Sequence, residues 1–143
     1  MPISKKTLHN LNTFVYAYTV AREQVGLPAR PVLNGDGQII HDKPEPLETP
    51  LTPQIKTMEN HFLERYFELD ELFWQGMDAI VANEQDSRIF RQRVFILKRF
   101  YGMNAIQISK QVGKWGQVIT EEVDAAQVVF CQSLGIVEDV CEV

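Results

Sequence analysis

Several absences bound what this 143-residue chain can do. It has two cysteines, Cys131 and Cys141, and they form no CxxC pair. Both therefore read as free thiols, Cys131 in a buried role on a helix and Cys141 in the tail. Its three histidines, His9, His41 and His61, are scattered. His61 stands near Glu59 and Glu64, but without HExxH or ExxH spacing it offers no zinc or di-iron ligand set, so no metal is expected. A GxSxG motif is missing, and no nucleophile sits beside a base, so the chain is not expected to be an enzyme or to hold a cofactor. No apolar run approaches the length that spans a bilayer, and the first residues lack the apolar core of a signal peptide. A cytoplasmic protein without a membrane partner is expected.

What is present is ordinary in amount and uneven in placement. The apolar fraction of 45% and the charged fraction of 23% suit one globular domain with a core of its own. The net charge of −5 argues against a general nucleic-acid coat, yet the charge comes in blocks. Residues 1–30 carry +3, residues 31–86 carry −9, residues 87–114 carry +7 and residues 115–143 carry −6. The basic block holds Arg88, Arg91, Arg93, Lys98, Arg99, Lys110 and Lys114 with no anion among them, which is the electrostatic footprint expected of a polyanion site. The competing reading is that these cations pair with the acidic middle and tail of the same molecule.

Taken in order, the chain opens with an N-terminal helix within residues 1–26. Ser4 is its N-cap, Leu8, Leu11, Val15, Tyr18 and Val25 form its apolar stripe, Phe14 and Tyr16 widen that stripe, and Gly26 stops it. Six of the seven prolines fall between Pro28 and Pro53, so residues 27–52 form a Pro/Gly-rich connection rather than regular helix. Within it Val32-Leu33 and Ile39-Ile40 flank Asn34-Gly35-Asp36-Gly37, the pattern of a small β-hairpin. That loop is a turn and not a phosphate cradle, because no GKS or GKT follows and no helix begins there. Asp36 and Asp42 likewise lack EF-hand spacing.

Thr52-Pro53 is a strong helix start. Ile55, Met58, Phe62, Tyr66, Leu69, Phe73, Met77 and Ile80 then repeat at three and four, giving a long amphipathic helix over residues 53–83. Leu63, Phe67 and Trp74 add a second apolar edge, wide enough to require packing on two sides: against the first helix, and against the C-terminal unit or a second copy. A homodimer through residues 55–80 is thus one expectation. Gly76 marks a close approach or a kink. Asp86 or Ser87 caps the next helix, whose inward residues are Ile89, Phe90, Val94, Leu97 and Phe100.

The stretch from Tyr101 to Ala126 organises the rest. Ile106, Ile108 and Val112 precede Gly113, and Val118, Ile119, Val123 and Ala126 follow it, so two short helices joined by a tight turn are expected, with Asn104 as the first N-cap. Val128, Val129 and Leu134 carry the last helix to a stop at Gly135. Residues 86–136 form this helix-turn-helix (trihelical) unit, and residues 137–143 are an acidic tail that reads as a frayed terminus. The fold class is mainly α.

The order Tyr101-Gly102-Met103, Ile108-Ser109, Val112-Gly113, Ile119 and Val123-Asp124-Ala125-Ala126 resembles the helix-turn-helix of sigma-factor region four. It is most similar to the version at the C-terminus of Q-type antitermination proteins of lambdoid phages. The resemblance covers roughly residues 90–136. It implies a DNA-binding transcription regulator of phage or prophage origin, with double-stranded DNA and RNA polymerase as partners inside the host cell. Arg88, Arg91, Lys98, Arg99, Lys110 and Lys114 would hold phosphates, and Gln117 and Thr120 would face base edges. The chain departs from the family at the start of the second helix, where Trp115, Gly116, Gln117, Thr120, Glu121 and Glu122 stand in place of the usual hydroxyl and basic residues. Two glutamates beside a phosphate backbone are repelled, although Glu121 can accept from a cytosine amino group. The alternative is a protein-interaction module, for example a phage-encoded modulator of a host protein, that keeps the shape without DNA binding and uses Trp115 and Glu121 against its partner.

Overall fold

The computed structural model describes residues 3–45 and 52–138. Among them the chain forms helices α1 (Lys5–Gln24), α2 (Pro53–Ala79), α3 (Gln85–Arg99), α4 (Ala105–Val112) and α5 (Gly116–Leu134). The molecule is mainly helical, as expected. The Asn34–Gly37 turn is present, closed by Asn34 Oδ1 accepting from the amides of Asp36 at 2.9 Å and Gln38 at 3.0 Å. It supports one isolated antiparallel bridge, Leu33 to Ile39, and not a hairpin of two regular strands. Two residues of pairing are too few to persist alone, and here the bridge is held by packing on its neighbours.

Helix α1 starts where Ser4 Oγ accepts from the Thr7 amide at 3.1 Å, and it ends before Gly26, whose φ of 82° a residue with a Cβ rarely adopts. Its buried side includes Leu11, Phe14, Tyr18 and Ala21, while Tyr16 is 72% exposed. Tyr16 does not widen the stripe, because two residues from Phe14 or Tyr18 is about 200° of helical rotation. Arg22 is buried as well. It donates Nε to the Pro28 carbonyl at 2.7 Å and both terminal nitrogens to Asp42, at 3.0 and 2.5 Å, which straps the proline-rich connection onto α1.

Helix α2 begins at the expected Thr52-Pro53 cap but ends at Ala79, short of Asn83. The chain turns extended at Ile80, burying that side chain completely. The carbonyls released there are taken by α3: Arg88 Nε donates to Ile80 O at 3.1 Å and Arg91 Nη1 to Val81 O at 2.9 Å. Helix α3 follows from Gln85 with Glu84 at its N-cap and no side-chain cap bond, so neither Asp86 nor Ser87 serves as the cap.

Two apolar cores result. The larger joins Leu11, Phe14 and Tyr18 of α1, Tyr66, Leu69, Phe73 and Met77 of α2, Phe95 and Ile96 of α3, and Ala126, Phe130 and Cys131 of α5. The smaller joins Val94 and Leu97 of α3, Ile108 of α4, and Ile119 and Val123 of α5. Helix α3 therefore buries two faces, and this is why Phe95 and Ile96 are interior although a single stripe leaves them out. Helix α2 does pack on two sides, against α1 and α5. A Cβ at Gly76 would lie 2.4 Å from the Phe130 ring, so that glycine marks close approach of α2 to α5 within an uninterrupted helix. The expected apolar stripe of α2 is nonetheless buried only from Tyr66 onward. Ile55, Met58 and Phe67 are exposed and Phe62 is half-buried, because α1 and α5 cover only the later turns.

After α5 the chain is pinned, not frayed, as far as Glu138. The Glu138 amide donates to Thr7 Oγ1 at 2.8 Å, and Asn10 Nδ2 donates to Ile136 O at 3.0 Å. Cys141 and the remainder of the acidic tail lie outside the described residues.

Candidate nucleic-acid interface

The end of α3, the whole of α4 and the start of α5 surround the smaller core. Asn104 caps α4 reciprocally: its Oδ1 accepts from the Gln107 amide at 2.8 Å while Gln107 Oε1 accepts from the Asn104 amide at 2.9 Å. Gly113, at φ 73°, ends α4 in the left-handed region, and Ser109 Oγ donates to the Lys114 carbonyl, so three residues suffice to reverse the chain into α5. Ile108 and Ile119 turn inward across this bend. Ile106 and Val118, expected in the same apolar runs, are instead 67% and 37% exposed. Ile106 lies two residues from Ile108 and Val118 one from Ile119, so neither shares the buried face.

Six of the seven cations of the basic block divide into two sets, and Arg93 stands apart. Arg88 spans the α2–α3 corner through Ile80 O, and through Asp78 at 3.9 Å. Arg91 donates Nε to Glu122 Oε2 at 2.6 Å. Arg99 donates Nε and Nη2 to Gln127 Oε1, at 3.0 and 2.7 Å, and burial lowers its affinity for a proton. These three arginines hold α3 to its neighbours. Lys98, Lys110 and Lys114 take part in no ion pair among the described residues, and the last two are exposed. Arg93 lies under the Asn34–Gly37 turn, with its Cδ 2.7 Å from where a Gly37 Cβ would stand.

At the start of α5, Gln117, Thr120 and Glu121 are exposed, and Trp115 at the N-cap position is 83% exposed. Gln117 Nε2 donates to Glu121 Oε1 at 3.3 Å, and Thr120 Oγ1 donates to the Gly116 carbonyl at 3.1 Å. Glu122, grouped with Glu121 by sequence, points toward α3 instead. No side chain caps α5, and its first turn carries no acidic residue, so the positive end of the helix is open to an anion. Sequence reasoning missed Gln127, which is 2% exposed and accepts from Arg99. Its only signal was one amide set inside the apolar stripe of α5.

A cavity of about 550 Å³ lies elsewhere, between the end of α1 and the start of α2, lined in part by Glu23, Lys43, Glu45, Glu59 and Leu63. Among the described residues no cluster of three or more His, Cys, Asp or Glu is placed to hold a metal ion, and no helix is long and apolar enough to cross a membrane. The chain matches no protein-family model, no curated protein and no solved structure.

Proposed function

We propose that the chain is a DNA-binding transcription regulator of phage type, similar to Q antiterminators, in which α3, α4 and α5 act as a helix-turn-helix unit. In this reading α5 enters the major groove, Lys98, Lys110 and Lys114 hold phosphates, and RNA polymerase is the protein partner. The observation that carries it is the division of α5: Ile119 and Val123 are committed to the smaller core, while Gln117, Thr120 and Glu121, on the other side of the same turns, stand in solvent at an uncapped helix end. A titration of the full chain with random-sequence duplex at two salt concentrations tests it. Affinity that falls steeply with salt supports the reading, and no binding at low salt ends it.

The exposure of Trp115 and Ile106 favours a second reading, a protein-interaction module built on the same three helices. Trp115→Ala separates the two. Lower random-duplex affinity places the indole against DNA, and unchanged random-duplex affinity assigns it to a protein surface.

A further inference from the structure

Resting on the reading that α5 enters a major groove, we infer that its N-terminal end reads the C5-methyl groups of thymine, so that the preferred ligand is A·T-bearing duplex recognised largely through apolar contact. The first observation is compositional and positional. Helix α5 contains no lysine or arginine, so the commonest specific contact, a cation bidentate to guanine O6 and N7, is not available from it.

The second observation is what the exposed end offers instead. Trp115 presents its indole at 83% exposure, and Val118 presents its methyl groups at 37%. Thr120 is exposed; its hydroxyl proton goes to the Gly116 carbonyl at 3.1 Å, and its γ-methyl adds a third apolar group. Three apolar groups thus accompany one amide, Gln117, whose Oε1 and second Nε2 proton stay available beside its bond to Glu121. Within the major groove the apolar feature that a base pair displays is the thymine methyl, while adenine N6 and N7 match the two ends of a glutamine amide. The geometry suits a T·A pair on both counts. Glu121 is the one group here that would favour cytosine, and its Oε1 is engaged by Gln117 Nε2 at 3.3 Å. Lys114 precedes Trp115 directly and Lys110 lies in the last turn of α4. Both are exposed without an ion-pair partner among the described residues, and they supply the charge complement for the phosphates beside the groove.

The test uses the full chain and duplexes differing by one methyl group per pair. Affinities are measured for alternating d(A-T), alternating d(A-U), alternating d(G-C) and alternating d(G-5-methylcytosine). The d(A-U) duplex should bind more weakly than d(A-T) by roughly fourfold for each methyl read, the ratio set by burying one methyl-sized group. The methylated G-C duplex should bind more tightly than the unmethylated one, which separates methyl contact from a change in duplex flexibility. Trp115→Ala combined with Val118→Ala should remove the difference in affinity between d(A-T) and d(A-U), whatever its effect on d(A-U) binding itself. Equal affinity for d(A-T) and d(A-U), or a preference for unmethylated d(G-C), overturns the inference and leaves DNA binding standing. Binding to none of the four overturns the DNA reading itself.

Discussion

Arg91 Nε lies 2.6 Å from Glu122 Oε2, tying the middle of α3 to the second turn of α5. The pair turns one cation and one anion of the supposed DNA-facing set into a brace, and it places the charge of Glu122 away from Glu121. The two glutamates therefore act on the interface separately.

Glu121→Gln is expected to tighten binding to random duplex, because an exposed anion leaves the face proposed to meet phosphates. Glu122→Gln should leave that affinity nearly unchanged and instead cost stability. Both side chains of the Arg91 pair are about one quarter exposed, so solvent screening limits their coupling to about 1 kcal/mol or less. A double-mutant cycle of Arg91→Ala and Glu122→Gln in urea measures it. Strictly additive losses would show that the contact contributes nothing.

The lysines, not the arginines, should set the salt dependence. Replacing Lys98, Lys110 or Lys114 with Ala is expected to weaken binding about equally on all duplex sequences and to reduce the salt slope by about 0.9 for each phosphate no longer neutralised. Arg88→Ala and Arg99→Ala should show first as lower urea midpoints, since their guanidinium groups are bonded to Ile80 O and Gln127 Oε1. A slope that follows the arginines and ignores the lysines would reverse this division.

Gly76→Ala is expected to destabilise by about 1–3 kcal/mol, the usual cost of forcing an extra carbon into a packed contact. Its Cβ would meet Phe130 ring atoms at 2.4 Å and Leu134 Cδ1 at 2.8 Å. Gly35→Ala is the matched control: nothing lies within 4 Å of its Cβ, and its change should stay within about 0.5 kcal/mol. Similar urea midpoints for the two variants would mean that α2 and α5 separate without cost.

What sequence could supply follows from how far each interaction reaches. Tyr18 and Phe73 were legible as core because three- and four-residue spacing is local, and their rings do meet at 4.7 Å. The capped start of α2 was legible for the same reason. Arg22 was not: its partner Asp42 lies twenty residues away across a proline-rich connection, and periodicity carries no record of such a pair. Whether the arginines of α3 are free or paired is not legible in sequence, because acceptors such as Ile80 O and Val81 O exist only where α2 stops. That stop, in Ile80-Val81-Ala82, carries neither Gly nor Pro. At the interface, sequence located the turn at Gly113, but it could not separate Ile106 from Ile108 or Glu121 from Glu122, since rotation about each helix decides which neighbour is buried.

Alkali should destabilise the protein. Burial, followed by the Asp70 carboxylate, pushes Tyr66 up to about 12, and Tyr18, whose hydroxyl donates to Asp70 at 2.6 Å, is raised for the same reasons. Cys131 is pushed up to about 11 by burial, with Arg99 working against the rise. In each case the unfolded chain loses its proton first, at the ordinary values of 10.0 for tyrosine and 9.0 for the thiol. The folded state then binds more protons than the unfolded state, so stability falls as pH rises. The contribution is complete below the thiol value and is lost upward through the tyrosine range. Urea midpoints measured on this alkaline limb should fall, and Tyr66→Phe should flatten the fall. An unchanged slope in that variant would remove Tyr66 from the account.

The exposed turns of α2 give the last expectation. Phe73 and Met77 are fully buried within one chain, so Phe73→Asp should unfold the protein at any concentration by stranding a charge in the core. A second copy would meet mainly the earlier turns, where Ile55, Met58 and Phe67 are 48%, 54% and 53% exposed, since Leu72 farther along is 37% exposed. Three such side chains form a smaller patch than the roughly 800 Å² per partner of a standard stable interface, so any dimer through α2 should be weak and concentration-dependent. Sedimentation of the wild type across a concentration series should show that exchange. Replacing Ile55, Met58 and Phe67 together with Ser should abolish it while leaving the urea midpoint of the monomer unchanged. A wild type that stays monomeric throughout ends the dimer expectation, and a triple variant that unfolds would mean that these turns are covered within the chain.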